Sequence, residues 1–173
     1  MKAVGYLLAS IVFFLLALFQ NSFLPYFSIL GQTPNLVLIA FVLLVFFEKP
    51  DQYLQGFFLV ILAGFLLDVF LPYIFGISIA VLLMIYFLIK LTSYFFQKSQ
   101  TTYIVLYFLV IFSLGFILHE AVFFLFSKIL NFPFNIHLSL VIKLIYNLVF
   151  ATFGFYLYRA ISESNHNNQL KLF

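Results

Sequence analysis

Thr102 to Phe126 reads TYIVLYFLVIFSLGFILHEAVFFLF, and its only acidic or basic side chains are Glu120 and the histidine before it, His119. A helix needs about 20 consecutive apolar residues to cross the ~30 Å hydrocarbon core of a bilayer. This stretch is long enough and apolar enough to do so, which makes lipid the solvent to reckon with. The rest of the chain agrees. Of its 173 residues 66% are hydrophobic and 8% are charged, with a mean hydropathy of +1.21. A soluble domain of this length leaves a large share of its side chains facing water and has no means of hiding so much apolar surface.

Outward from that stretch, the apolar runs predict an all-α, polytopic six-transmembrane-helix bundle, with helices at about 3–24, 34–48, 52–71, 76–96, 102–126 and 136–158, and a polar tail at 160–173. The run from Ala3 to Phe19 follows Lys2, but no small-x-small cleavage site comes after it, so it reads as an uncleaved first helix. Thr33 and Pro34 read as N-cap and first position of the second helix. From Asn35 to Phe47 that helix has 13 residues, or about 20 Å, so it extends into its flanks, thins the bilayer or re-enters. Glu48-Lys49-Pro50-Asp51, the Pro72–Gly76 segment, Gln97–Thr101 and Lys128–Asn135 read as connections.

Basic residues favour the cytoplasmic side of a membrane. Six spans with the N-terminus inside put Lys2, Lys49, Lys90, Lys98, Arg159 and Lys171 at cytoplasmic ends and Lys128 alone outside, with Lys143 inside the sixth helix. Five spans spoil this asymmetry. Both termini are therefore expected in the cytoplasm. The scattered basic residues, with a net charge of +3, make no nucleic-acid footprint, and the lack of cysteine rules out disulfides, thiol catalysis and iron–sulfur clusters.

Ionisable groups at membrane depth call for partners. Asp68 lies four residues after Gly64, near the outer end of the third helix. It caps the Pro72–Gly76 turn, or bonds to a neighbouring helix, or relays protons or ions. Glu120 and Lys143 straddle a midpoint that falls in the loop at Asn131, which gives them matching depth in an antiparallel hairpin and predicts an ion pair between the fifth and sixth helices. The alternative has Lys143 snorkelling outward and Glu120 protonated or bonded elsewhere. Lys143, Asn147, Ala151 and Gly154 make one stripe of the sixth helix, and Ser113, Glu120 and Ser127 one of the fifth, as helix packing in lipid uses. His119 and Glu120 point about 100° apart, no H-E-x-x-H pattern follows, and neither metal nor cofactor is expected. Lys90 is expected to snorkel, His137 to sit at the interface, and Gln20 and Asn21 to close the first helix.

Pro34-Asn35-Leu36, Gly56, Gly64-Phe65-Leu66-Leu67-Asp68 and Gly76 together resemble the rod shape-determining MreD family, with its Pro-Asn or Pro-Asp opening the second helix, Gly-x7-Gly-x3-Asp in the third and a further Gly about eight residues on. The resemblance covers about a quarter of the chain and carries over Asn35, Gly64, Asp68 and Gly76. It implies a non-enzymatic inner-membrane subunit of the bacterial wall-elongation machinery, associated with MreC, the actin-like MreB, and the wall synthase of RodA and its penicillin-binding partner. It also implies a fold like that of the substrate-binding subunits of energy-coupling-factor transporters, so a vitamin-type transporter subunit is the alternative. For that role the polar groups are few (Asp68, Glu120, Lys143 and Asn147), and they can largely satisfy one another.

Overall fold

The computed structural model describes residues 2–48, 53–70, 75–96, 103–130 and 139–170. Six α-helices make up nearly all of them: α1 Lys2–Ser22, α2 Leu36–Phe46, α3 Tyr53–Val69, α4 Ile77–Phe96, α5 Ile104–Leu130 and α6 Ser139–Leu170. A short 3-10 turn, Leu24–Phe27, follows α1, and the only pairing of strand type among the described residues is one isolated bridge, Ile29 with Gln32. Three helical stretches are long and apolar enough to cross a membrane: Gly5–Ser22, Ile104–Ile129 and Leu140–Ser162. Leu36–Phe46, Tyr53–Val69 and Ile77–Thr92 are apolar but shorter. The chain is thus an all-helical protein with the makings of a membrane protein.

α2 organises the bundle. It is apolar on every face, as a helix with no solvent-facing side must be, and Val37, Leu38, Phe41, Val42 and Val45 are all but inaccessible. It touches each of the other five helices. Phe13 and Ala17 of α1, Val60 and Ala63 of α3, Leu82 and Ile85 of α4, Phe108 and Phe112 of α5, and Ala151 and Phe155 of α6 fill one core around it. Side chains on the outer faces, such as Leu8 and Leu15 of α1 or Val149 and Phe153 of α6, are apolar and exposed, an arrangement suited to lipid.

Several boundaries differ from the sequence reading. The N-cap of α2 is Asn35, not Thr33, because the Asn35 side chain accepts the N–H of Leu38; Pro34 therefore precedes the helix. At 11 residues and about 16 Å, α2 is shorter still than expected. α5 continues past Phe126 to Leu130, since nothing in Ser127-Lys128-Ile129 breaks a helix. The polar tail is also helical as far as Leu170: it contains no Pro or Gly to stop α6. The expected connections at Pro72, Lys49–Asp51, Gln97–Thr101 and Asn131–Asn135, with His137, Lys98 and Lys171, lie outside the described residues.

Candidate functional site

Both ends of a helix leave backbone groups without intrahelical partners. Where those ends lie inside a bundle rather than in water, side chains must meet them. The buried polar residues of this chain gather at such places.

At the N-terminus of α2, three side chains converge. Asn35 Oδ1 accepts from Leu38 N at 2.9 Å, and Gln20 Oε1 of α1 accepts from Val37 N at 3.2 Å. Asn147 of α6, fully buried, accepts the Asn35 backbone N–H at 2.8 Å through Oδ1 and donates through Nδ2 to the Lys143 carbonyl at 2.7 Å. Gln20 is therefore a partner of α2, beyond the helix-closing role its position suggested; Asn21 Nδ2 donates back to Ala17 O within α1.

One turn earlier on α6, Lys143 Nζ lies 2.8 Å from Glu120 Oε1 of α5. The pair anticipated from matched depth is present. The stripes that carry it also face inward: Ala151 is fully buried, and a Cβ on Gly154 would touch Leu43 of α2 at 3.4 Å. His119 departs from the reading that adjacent helical residues diverge. Its Nδ1 lies 3.3 Å from the same Glu120 oxygen, and both side chains are buried. Glu120 Oε2 and His119 Nε2 have no hydrogen-bond partner among the described residues. No group of three or more His, Cys, Asp or Glu comes together among them.

Asp68 and the glycines form a second constellation at the α3–α4 junction. Asp68 Oδ2 accepts the Gly76 N–H at 2.7 Å and Oδ1 the Ser78 N–H at 3.0 Å. The carboxylate thus caps α4, where the helix dipole favours an anion. Gly76 has φ +103°, a conformation glycine adopts without strain, and open space around its Cα. Gly64 lies against the α4 backbone: a Cβ there would come within 2.6 Å of Ile79 Cα. Gly56, two turns earlier, gives the same room to the Tyr86 ring.

A third feature escaped the sequence reading. Lys90 of α4 does not snorkel; its Nζ lies 2.6 Å from Glu48 Oε2, just past the C-terminus of α2, and over the rings of Tyr53 and Tyr86 at 5.9 and 5.6 Å. The Glu48 side chain is 3% exposed and that of Lys90 18%. Forty-two positions separate the partners, so no local spacing signals the pair. The one available hint was a carboxylate beside an apolar helix too short to reach water at both ends.

Comparison with models of known protein families, with curated proteins and with solved structures gives no match for this chain.

Proposed function

We propose that this chain is a six-helix bacterial inner-membrane protein with both termini in the cytoplasm, and that it serves as a non-enzymatic subunit of the cell-wall elongation complex. In this reading it binds an MreC-like partner and, directly or through it, MreB and the RodA/penicillin-binding-protein wall synthase, in support of rod shape. The observation that carries the proposal is the α3–α4 junction. Gly64, Asp68 and Gly76, whose spacing resembles the MreD pattern, meet there as one unit: a helix contact without a side chain, a carboxylate cap, and the backbone N–H it holds. Asn35, the remaining polar member of the pattern, caps the central helix. The spacing therefore has a structural reason, which supports the reading.

The buried polar groups also bear on the choice of function. A vitamin-binding subunit requires polar side chains that converge on a cavity. Here Asn35, Asn147, Lys143, Glu120 and Gln20 are turned onto one another or onto helix ends, which supports a scaffold. The test is co-purification of the detergent-solubilised chain with the MreC-like protein of the same cell. Co-elution of the two, with loss of rod shape when the chain is depleted, is the expected result. Separate elution of two folded proteins, or co-elution with a transport ATPase, would overturn it.

A further inference from the structure

The segment between α1 and α2 is unlike an aqueous loop. Residues 23–35 contain no charged side chain. Tyr26, Phe27, Ile29 and Leu30 project from it, Leu30 with 75% of its surface exposed. At its tip Leu30 has φ +51° and Gly31 φ +75°, and Ile29 and Gln32 exchange both backbone hydrogen bonds, at 3.1 and 3.0 Å. Positive φ at both central residues is the geometry of a type I′ turn, in which Asn or Asp normally stands before Gly. Leucine in this conformation is an outlier that costs backbone strain. An exposed turn in water would gain from Asn at position 30 on both counts, conformation and solvation. Leucine makes sense there where the surrounding medium favours an apolar side chain.

The segment's height in the bundle agrees. Tyr146 Oη donates to Phe27 O at 3.2 Å, and the Asn35 N–H reaches Asn147. Tyr146 lies seven residues inside α6, counted from Ser139 (146 − 139), so the segment meets α6 about 10 Å below that helix's first described residue. Along that stretch Val141 and Ile145 are exposed and apolar, as side chains in hydrocarbon are. Irregular backbone exposed to lipid is excluded unless its polar groups are met. Here Phe23 N bonds Phe19 O, Tyr26 N bonds Phe23 O and Ser28 N bonds Pro25 O, while Pro25 and Pro34 have no N–H to meet. The N–H groups of the central turn residues Leu30 and Gly31 have no partner among the described residues, which sets the turn's backbone at headgroup depth, where water reaches it.

We infer that residues 23–32 form a membrane-embedded hairpin in the leaflet nearest the start of α6, its turn backbone at headgroup depth and its Tyr26, Phe27, Ile29 and Leu30 side chains reaching the upper acyl chains. It roofs the N-terminal end of α2 and takes up the membrane thickness that an 11-residue helix leaves unspanned. The inference rests on the membrane reading of the six helices and is independent of any wall-synthesis partner.

The chain has no native cysteine, so single spin labels at Leu30→Cys, Ile145→Cys and Lys128→Cys can be compared in vesicles of phosphatidylethanolamine and phosphatidylglycerol. The label at 30 should match that at 145, with collisions with oxygen several-fold favoured over those with a water-soluble nickel chelate, relative to the label at 128. Favoured nickel collisions at 30 alone would overturn the hairpin; the same at 145 would overturn the membrane reading itself. Protection of 30 from both reagents would also overturn it, in favour of a covering protein. Tyr26→Cys gives the same reading should the Leu30 variant misfold. Leu30→Asn supplies an independent sign: a lowered unfolding midpoint in vesicles is expected, and a raised one, the result of relieved turn strain in water, would refute immersion.

Discussion

Replacing Asp68 by Ala should be among the most damaging single changes available to this chain, and the size of the effect follows from two hydrogen bonds. The carboxylate holds the N–H groups of Gly76 and Ser78 at 2.7 and 3.0 Å, and Asp68 and Ser78 are both buried. A buried donor left without a partner costs ~1–3 kcal/mol. The buried Ser78 N–H bears that cost and the half-buried Gly76 N–H a smaller one, about 2–5 kcal/mol together, and removing an anion from the N-terminus of α4 adds ~0.3–1 kcal/mol. Asp68→Asn keeps the shape and one acceptor oxygen, but sets an amide NH2 against the other N–H, so its cost should be roughly half, about 1–3 kcal/mol. Equilibrium unfolding in mixed micelles of mild detergent and SDS, followed by far-ultraviolet circular dichroism because the chain has no Trp, measures both. The order wild type, Asn, Ala is the result expected. An Ala variant within ~0.5 kcal/mol of wild type, the scatter of ordinary surface substitutions, or an Asn variant as unstable as Ala, would refute the capping role.

Glu120→Lys and Lys143→Glu should each lower the unfolding midpoint, on the order of 3–5 kcal/mol for a buried charge left without its partner; the double exchange should recover much of it, and failure of rescue counts against the pair. Gly64→Ala drives a methyl to 2.6 Å from the Ile79 backbone, so α3 and α4 must part, at ~1–3 kcal/mol or more, seen as loss of monodisperse protein on size exclusion. Asn147→Ala strips the Asn35 N–H of its acceptor and should cost ~1–3 kcal/mol by the same unfolding titration. Lys90→Met should be worse than Glu48→Gln, because Glu48 is the more deeply buried partner: losing the lysine strands a charge, whereas losing the carboxylate frees a lysine that can reach outward.

Hydropathy made the all-helical architecture legible, because a lipid solvent writes its demand into every exposed face of α1, α5 and α6. The Glu120–Lys143 contact was legible for a narrower reason: a hairpin fixes the relative height of residues equidistant from its loop. The cap made by Asp68 was visible as one of three readings, since Pro72 and Gly76 mark a turn and a carboxylate shortly before it can accept the N–H groups that begin the next helix. What escaped was whatever depended on α2 being the hub. Its uniformly apolar sequence fits a lipid-facing span as well as a buried core helix, so its ends were legible along the chain to within a residue or two but their place inside the bundle was not. Gln20, Asn147, Lys90 and Glu48 acquire their roles only once those ends lie inside the bundle. The end of α6 was placed too early for a different reason: polarity marks solvent, and a helix continuing into solvent has the same composition as a loop.

The short central helix accounts for the rest. A helix of about 16 Å in a membrane of ~30 Å has at least one terminus at a depth where water does not solvate it. The bundle answers with side chains on α1 and α6 at one end of α2 and with the Glu48–Lys90 pair near the other. Asp68 does the same for α4. Most of the buried polar groups that would otherwise advertise a transport path or a catalytic centre are therefore engaged in closing helix ends or joining helices. Among the described residues, the large side chains left facing outward are those of the apolar exterior of the bundle, the face a lipid solvent requires.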